Sequence, residues 1–519
     1  MLTNYIARMG YKEKYRTDDD WWNEKKTTYL PPPEWLQKIM DAVPAINEHV
    51  SINLSGPAPV FDAKPGDVGV VFWHEEDGKT IIPVGLIYRD GKHCSFAYHP
   101  EYAADPDTQP ISHTLPKDKL VHTQHDVEEH GIIPFFDNLV AEGWLGMHQT
   151  NALYVSYGID HELPLYKSVE NFKNKDHGRP EERFLRLLDF GRGFHGAVSI
   201  VDITASDERL KQEEASLEEA LSSSASIGGG EPKALAVKDE NGFHIAQHGE
   251  TTTHIVKFTN KQTPDSWWPL NNIQNEYLNI IASQQLLPED DVIEAELAEW
   301  QPKEGQRKAG LFIKRFDRNE KGGRIHFEEA LQVLGATAEN MNNYAFADLL
   351  EIGKKLDIPN SGEILFKRTL SAWVLGNADG HAKNYAVWNR DGKWSWTPGY
   401  DLERTNNQLS PDGEPMDAIP MRIGHKKFSL SDIGAKEIFL LGKELELSAD
   451  ETKRLIDQVR SHIPRMKEAI ESLDNPLITN DDKQAFHEQF DNREKGLFAG
   501  LEVAYQQAKA QERRLALGG

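Results

Sequence analysis

Between Gly376 and Asp401 the chain reads Gly-Asn-Ala-Asp-Gly-His-Ala-Lys-Asn-Tyr, then a short polar interval, then Pro-Gly-Tyr-Asp. This stretch constrains the fold more than any other. Asp379 and Asn384 stand five positions apart (384 − 379), and Asp401 follows 17 residues later (401 − 384). Inside the interval, Asn389-Arg390-Asp391-Gly392 separates two apolar runs, a pattern that predicts a β-hairpin with Asp-Gly at its tip. A hairpin returns the chain to its starting point, so Asp401 is expected to face the Asp379–Asn384 loop.

The rest of the composition narrows the setting. A chain of 519 residues has length for two or three domains, each with its own core. The formal charge of −25 argues against broad electrostatic binding of nucleic acid, and no direct nucleic-acid contact is expected. Cys94 is the only cysteine, which excludes an intrachain disulfide and a cysteine-based zinc site. The segment Met1–Lys12 soon becomes charged and lacks a signal-peptide apolar core. No stretch approaches the ~20 apolar residues needed to span a bilayer. A cytoplasmic protein without membrane contact is expected.

Four regions emerge along the chain. Residues 1–62 form an extension of unassigned role, with one short helix predicted over Glu34–Val43 and stopped by Pro44. Residues 63–205 read as a small α/β domain. Val68–Trp73 and Thr80–Tyr88 are β-rich, and Asp77-Gly78 and Asp90-Gly91 supply turns. Helices are predicted over Ile133–Leu145 and Arg183–Phe190. Residues 206–320 begin with an acidic, serine-ended connection at Ser206–Ala225. Strands follow at Ala234–Val237, Phe243–Gln247 and Thr251–Phe258, then a helix over Asn275–Gln284 and a strand over Leu311–Phe316. Residues 321–519 are mainly helical around the hairpin, and Ser448-Ala-Asp-Glu451 is a capping-box pattern.

Several groups in these regions suit phosphoryl transfer, which requires a held triphosphate, neutralised charge and an aimed hydroxyl. Asp379 is placed to accept or orient a hydroxyl proton, and Asn384 and Asp401 offer the hard oxygen donors that Mg²⁺ prefers. Their five-residue separation is that of base and metal ligand in a protein-kinase catalytic loop. His381 lies two residues after the base, positioned to steady the loop or touch phosphate. Upstream, Ser226-Ile-Gly228-Gly229-Gly230-Glu-Pro-Lys233 reads either as a phosphate cradle with a cation or as a flexible linker. Lys257 sits in the apolar strand His254-Ile-Val-Lys-Phe258, where it contacts phosphates or faces solvent. Glu276 starts the following helix, either as an ion-pair partner of Lys257 or as a surface glutamate favoured by the helix dipole. Arg315-Phe316-Asp317-Arg318 reads as a passage between lobes, with Phe316 against adenine or in the core and Asp317 near the ribose. Strands first and helices afterwards give an α+β, two-lobed, kinase-like outline.

Taken in order, these motifs resemble the HipA family of bacterial serine/threonine kinases, the toxin halves of HipBA-type toxin–antitoxin pairs. In the amino-terminal half the resemblance rests on Phe96-Ala-Tyr98, Ile111-Ser112, Leu115-Pro116, Pro134-Phe-Phe-Asp-Asn-Leu139, Glu142-Gly143, Gly191 and Gly196-Ala197. In the second half it rests on Gly228-Gly229-x-x-Pro232-Lys233, Lys257-Phe258, Arg315-Phe316-Asp317-Arg318, Asp379-Gly-His381-x-x-Asn384 and Tyr400-Asp401. It covers most of residues 66–470. Lys314 departs from the pattern, which often has glutamate there.

The resemblance implies an ATP- and Mg²⁺-dependent protein kinase with a fold related to phosphoinositide kinases. An α/β subdomain precedes the kinase part, whose carboxyl-terminal lobe is helical. It further implies autophosphorylation on a loop serine, Ser226 first and Ser224 next. Family toxins phosphorylate aminoacyl-tRNA synthetases and are restrained by a small helix-turn-helix antitoxin, so both classes of partner are expected. Two other readings stay open at this stage. One is a non-catalytic, HipA-shaped partner of a DNA-bound repressor; the other is a small-molecule kinase.

Overall fold

The computed structural model describes residues 33–48, 50–53, 60–63, 67–90, 92–140, 149, 180–191, 195–202, 233–240, 242–246, 252–258, 272–287, 292–300, 307–405 and 416–518. The chain divides into two compact units. One contains the described residues of 1–227, 235–253 and 317–339; the other contains those of 228–234, 254–316 and 340–519.

Among the described residues, the first unit begins with the helix Pro33–Ala42, as predicted to within a residue at each end, and a two-stranded ribbon of β1 (Val50–Asn53) and β2 (Val60–Ala63). Its centre is an antiparallel sheet built from β3 (Val68–His74), β4 (Ile81–Asp90), β5 (His93–Tyr98), β6 (Val121–Gln124) and β7 (Val198–Asp202), in the order β6-β5-β4-β3-β7. Strand β3 is apolar on both faces. Val71 and Trp73 point into one core, with Phe135, Phe136 and the helix Pro180–Asp189. Val68, Val70 and Phe72 point into the other, beneath Trp35, Leu36, Ile39 and Met40 of the helix Pro33–Ala42. A sheet with two apolar faces needs two covers, and the helix Pro33–Ala42 is the second cover. Trp35 stacks on His99 at 4.6 Å, and burial lowers the His99 pKa to about 4, so the ring is neutral where it packs.

The helix predicted over Ile133–Leu145 is only four residues long among the described residues, Pro134–Asp137. Asn138 turns its side-chain amide back to donate to the Pro134 and Ala336 carbonyls, each at 2.8 Å, which fixes a turn where the helix would continue. Residues 141–148 lie outside the described residues. The predicted hairpin forms from β8 (Lys233–Asp239) and β9 (Gly242–Ile245), with Gly242 at φ +111°. A returning strap of residues 317–339 carries β13 (His326–Glu329), whose buried Glu328 accepts from Ser112 Oγ (2.6 Å) and the His113 amide (3.0 Å).

In the second unit β10 (His254–Phe258), β11 (Ala295–Trp300) and β12 (Lys308–Lys314) pair antiparallel with β12 in the middle. Strand β11 was not predicted, because Ala-Glu-Leu-Ala-Glu-Trp carries helix-forming residues and no period-2 alternation. The helix Asn272–Leu286 extends the predicted span and is buried through Ile273, Leu278 and Ile280. After the helices Phe346–Lys355 and Ser361–Val374 comes the hairpin β14 (Ala386–Arg390) and β15 (Lys393–Trp396). Its tip has Asp391 at φ 51° and Gly392 at φ 77°, both left-handed, as a type I′ turn requires. Four helices end the chain: Ala435–Glu444, Ala449–Glu471, Asn480–Leu497 and Leu501–Gly518. Ser448 Oγ accepts from the Glu451 amide (3.2 Å) while Glu451 Oε2 accepts from the Ser448 amide (2.8 Å), the reciprocal cap that the sequence predicts. The architecture is α+β with a helical carboxyl-terminal part.

Candidate active site

Lys257 lies near the end of β10 and is 4% exposed. An ammonium so deep in protein persists only when paired. Its Nζ donates to Glu276 Oε1 and Oε2, both at 2.9 Å, to Asp401 Oδ1 at 2.7 Å and to Glu403 Oε1 at 3.1 Å. Glu276 is fully buried in the second turn of the helix Asn272–Leu286. Asn279, three residues on and thus on the same helix face, donates to the Leu402 carbonyl at 3.0 Å and accepts from Arg404 at 3.1 Å. The helix therefore holds both the lysine and the segment that carries Asp401 and Glu403.

The Asp379 loop is tied to that segment by backbone and amide bonds. Asn377 accepts the Asp379 amide on Oδ1 (2.8 Å) and donates from Nδ2 to the Asp401 carbonyl (3.1 Å). Thr405 Oγ1 accepts the Ala378 amide (2.8 Å), and the Thr405 amide donates to the Gly376 carbonyl (3.1 Å). Asn384 spends its Nδ2 on the Asp379 carbonyl (2.8 Å), so its side-chain oxygen is the end left to a cation. Tyr400 donates to the Lys383 carbonyl (2.5 Å), closing the hairpin base. Asp401 adopts φ 56°, a left-handed conformation that aspartate tolerates better than most residues.

The two carboxylates differ in charge behaviour. Burial raises Asp379, and the Asp401 charge adds to this, against His381, Lys257 and Lys233, which lower it; the net shift is upward. Burial also pushes Asp401 up, but Lys257 and Lys233 overrule it and hold this carboxyl far below the usual range. The two carboxyls are shifted in opposite directions.

The remaining predicted residues take various places. His381 Nε2 is 4.0 Å from Asp379 Oδ2, and its carbonyl accepts the Asn384 amide. Lys233 begins β8, and its charge reaches both carboxylates. Phe316 packs against Tyr400 and Trp388, with ring centroids 5.8 Å apart in both cases. Arg315 is buried. Asp317 belongs to the first unit, where its Oδ2 accepts the Gly196 amide (2.8 Å) and Arg318 Nη1 (2.7 Å). Ser224, Ser226, Gly228, Gly229 and Gly230 lie outside the described residues. Sequence reasoning missed Asn377, Glu403 and Thr405. The one available signal was their position, two before Asp379 and two and four beyond Asp401.

The donor set fits a hard divalent cation. Among the described residues no group of three or more His, Cys, Asp or Glu side chains would hold a metal alone. Asn384 and Asp401 offer two oxygens, which suits Mg²⁺, a cation that takes few protein ligands and completes its shell with phosphates and water. No helix among the described residues is long and apolar enough to cross a membrane.

Residues 80–201 match the HipA N-terminal domain family, and residues 225–467 match the HipA-like C-terminal domain family. A putative kinase of Sinorhizobium fredii, Y4mE, is 24% identical over 399 residues, 72% of this chain and 86% of the relative. Among solved structures, HipA of Shewanella oneidensis MR-1, in complex with HipB and operator DNA, aligns with a TM-score of 0.58 at 19% identity. That alignment covers 85% of this chain and 97% of the other, and shows a common fold. The Helicobacter pylori proinflammatory kinase CtkA aligns over 52% of this chain and 91% of its own, with a TM-score of 0.36 at 14% identity.

Proposed function

The chain belongs to the HipA family, and from that premise we propose that it is an ATP- and Mg²⁺-dependent protein serine/threonine kinase. The observation that carries this reading is the contact of Lys257 with both Glu276 and Asp401, which joins a strand, a helix and the segment after the hairpin at one point. Asp379 takes or orients the proton of the attacking hydroxyl, and its raised pKa brings it nearer the proton-accepting range. Asn384 and Asp401 would hold the cation, whose charge would neutralise the phosphates. Lys257 would direct its ammonium at the phosphate chain. Lys233 and the glycines before it cradle the triphosphate, and Ser226 or Ser224 receives a phosphate in autophosphorylation, adding roughly −2 charge beside the loop.

The biological role follows the family resemblance: a toxin that phosphorylates a translation-related protein such as an aminoacyl-tRNA synthetase, restrained by a small DNA-binding antitoxin. The solved HipA with HipB and operator DNA supports an antitoxin partner. The test is incubation of the protein with labelled ATP and Mg²⁺ in a lysate, parent beside Asp379→Asn, followed by phosphosite mapping. Label on serine or threonine in the parent alone is the expected result. No nucleotide binding in either form points instead to a non-catalytic partner of a repressor.

A further inference from the structure

Glu403 has no part in the phosphoryl-transfer scheme above, yet it completes the surroundings of Lys257. An ammonium has three N–H donors. Here they meet four carboxylate oxygens, from Glu276, Asp401 and Glu403, and all three carboxylates are within 3.1 Å of one nitrogen. Glu276 and Glu403 are buried, so water screens their charges little. Three carboxylates thus crowd one ammonium beside the place proposed for a polyanion.

We propose that Glu403 is a specificity-determining residue that makes this site take the magnesium complex of a nucleotide and reject the metal-free nucleotide. The inference rests on the kinase reading above. Both donor count and charge lead to it. With three carboxylates in place, Lys257 has no N–H left for phosphate, and Glu276 alone would not produce that saturation. Asp401, if engaged by a divalent cation, would release one Lys257 donor, and its carboxylate charge would be offset. Without the cation, the phosphates would meet a lysine whose donors are already taken by three carboxylates. A second carboxylate on the lysine besides Glu276 therefore strengthens the linkage between metal and nucleotide, which each ligand feels equally.

Nucleotide affinity with Mg²⁺ and with EDTA, measured by titration calorimetry on the full chain, tests this without any turnover. In the parent, ATP is expected to bind ~100-fold more weakly in EDTA, and Glu403→Gln is expected to cut that ratio to ~10-fold by removing one buried charge. Glu403→Asp keeps the charge and is expected to keep the parental ratio. A Glu403→Gln protein that melts like the parent and shows an unchanged ratio overturns the inference while leaving the kinase reading intact. If Glu403→Gln does not fold, the parent alone decides. In EDTA, affinity is expected to fall from adenosine to ADP to ATP, and the opposite order overturns the proposal. No binding of Mg·ATP by the parent overturns both the proposal and the kinase reading it rests on.

Discussion

Asn377→Ala is the perturbation that most directly probes how the two loops are held. The side chain is buried at 5% exposure and makes two bonds, from the Asp379 amide at 2.8 Å and to the Asp401 carbonyl at 3.1 Å. Removing both leaves a donor and an acceptor unsatisfied, at about 1–1.5 kcal/mol each, so about 2–3 kcal/mol in all. The bonds fix the Asp379 loop against the Asp401 segment, and in the proposed scheme that alignment matters most in the transition state. The cost is therefore expected in the transition state, as a fall in kcat of roughly 30- to 150-fold with KM for ATP within about threefold. Steady-state phosphorylation of an acceptor peptide over a range of ATP and Mg²⁺ concentrations measures both quantities. Asn377→Asp retains the acceptor for Asp379 but turns a carboxylate toward the Asp401 carbonyl, so its loss is expected to be at least as large. A folded Asn377→Ala protein with parental kcat refutes the idea that this tether aligns the site.

Asp379→Asn is expected to raise thermal stability at pH 7. The raised folded pKa means that ionisation costs the fold stability; that cost is absent below the ordinary value of 3.8 and complete above the folded value. The melting difference is therefore expected to narrow as pH falls, and a gap that widens at low pH contradicts the assignment. Asp317→Asn is expected to lower stability by roughly 1–3 kcal/mol by weakening the bonds to Gly196 and Arg318, with KM for ATP unchanged. A tenfold rise in KM at constant melting temperature would instead return Asp317 to the ribose, where its sequence position puts it. Cys94 is fully buried and its thiol is pushed up to about 12 by burial, so iodoacetamide at pH 8 is expected to label it only as the protein unfolds. Labelling of the native protein at a free-thiol rate would place it at the surface.

What could be read in advance depended on whether the signal was local. Asp391-Gly392 dictates its turn by backbone conformation alone, and the capping box at Ser448 is complete within four residues. Lys257 was readable as a candidate because a lone lysine in an apolar strand needs a reason. Asn377 and Glu403 carry no such mark. An asparagine before a loop and a glutamate after an aspartate are ordinary surface residues until the fold brings Asp401 and the β10 lysine to them. Strand β11 was lost for a related reason. Its Ala and Glu residues favour a helix, and pairing of Leu297 with Leu311 and of Ala295 with Ile313 along β12 overrides that preference.

The amino-terminal segment makes the same point from the opposite direction. Its helix was legible from the spacing of Trp35, Leu36, Ile39, Met40 and Val43, but its destination was not. The clue lay in another element. Val68, Val70 and Phe72 alternate with Val71 and Trp73, so β3 offers no polar face, and one of its sides had to be covered by something other than the helix Pro180–Asp189. Gly85 belongs to the same logic. A Cβ there would collide with the Ala97 carbonyl, and the β3–β4 register shifts between Val71 and Phe72, close to its partner position. Beyond that irregularity β4 changes sides, with Ile82 and Val84 in one core and Leu86 and Tyr88 in the other. A strand that feeds both cores cannot remain ordered with one of them open to water. The described part of the extension is on this ground a structural component of the first unit, and deletion of residues 33–48 is expected to unfold that unit and not merely to expose a surface.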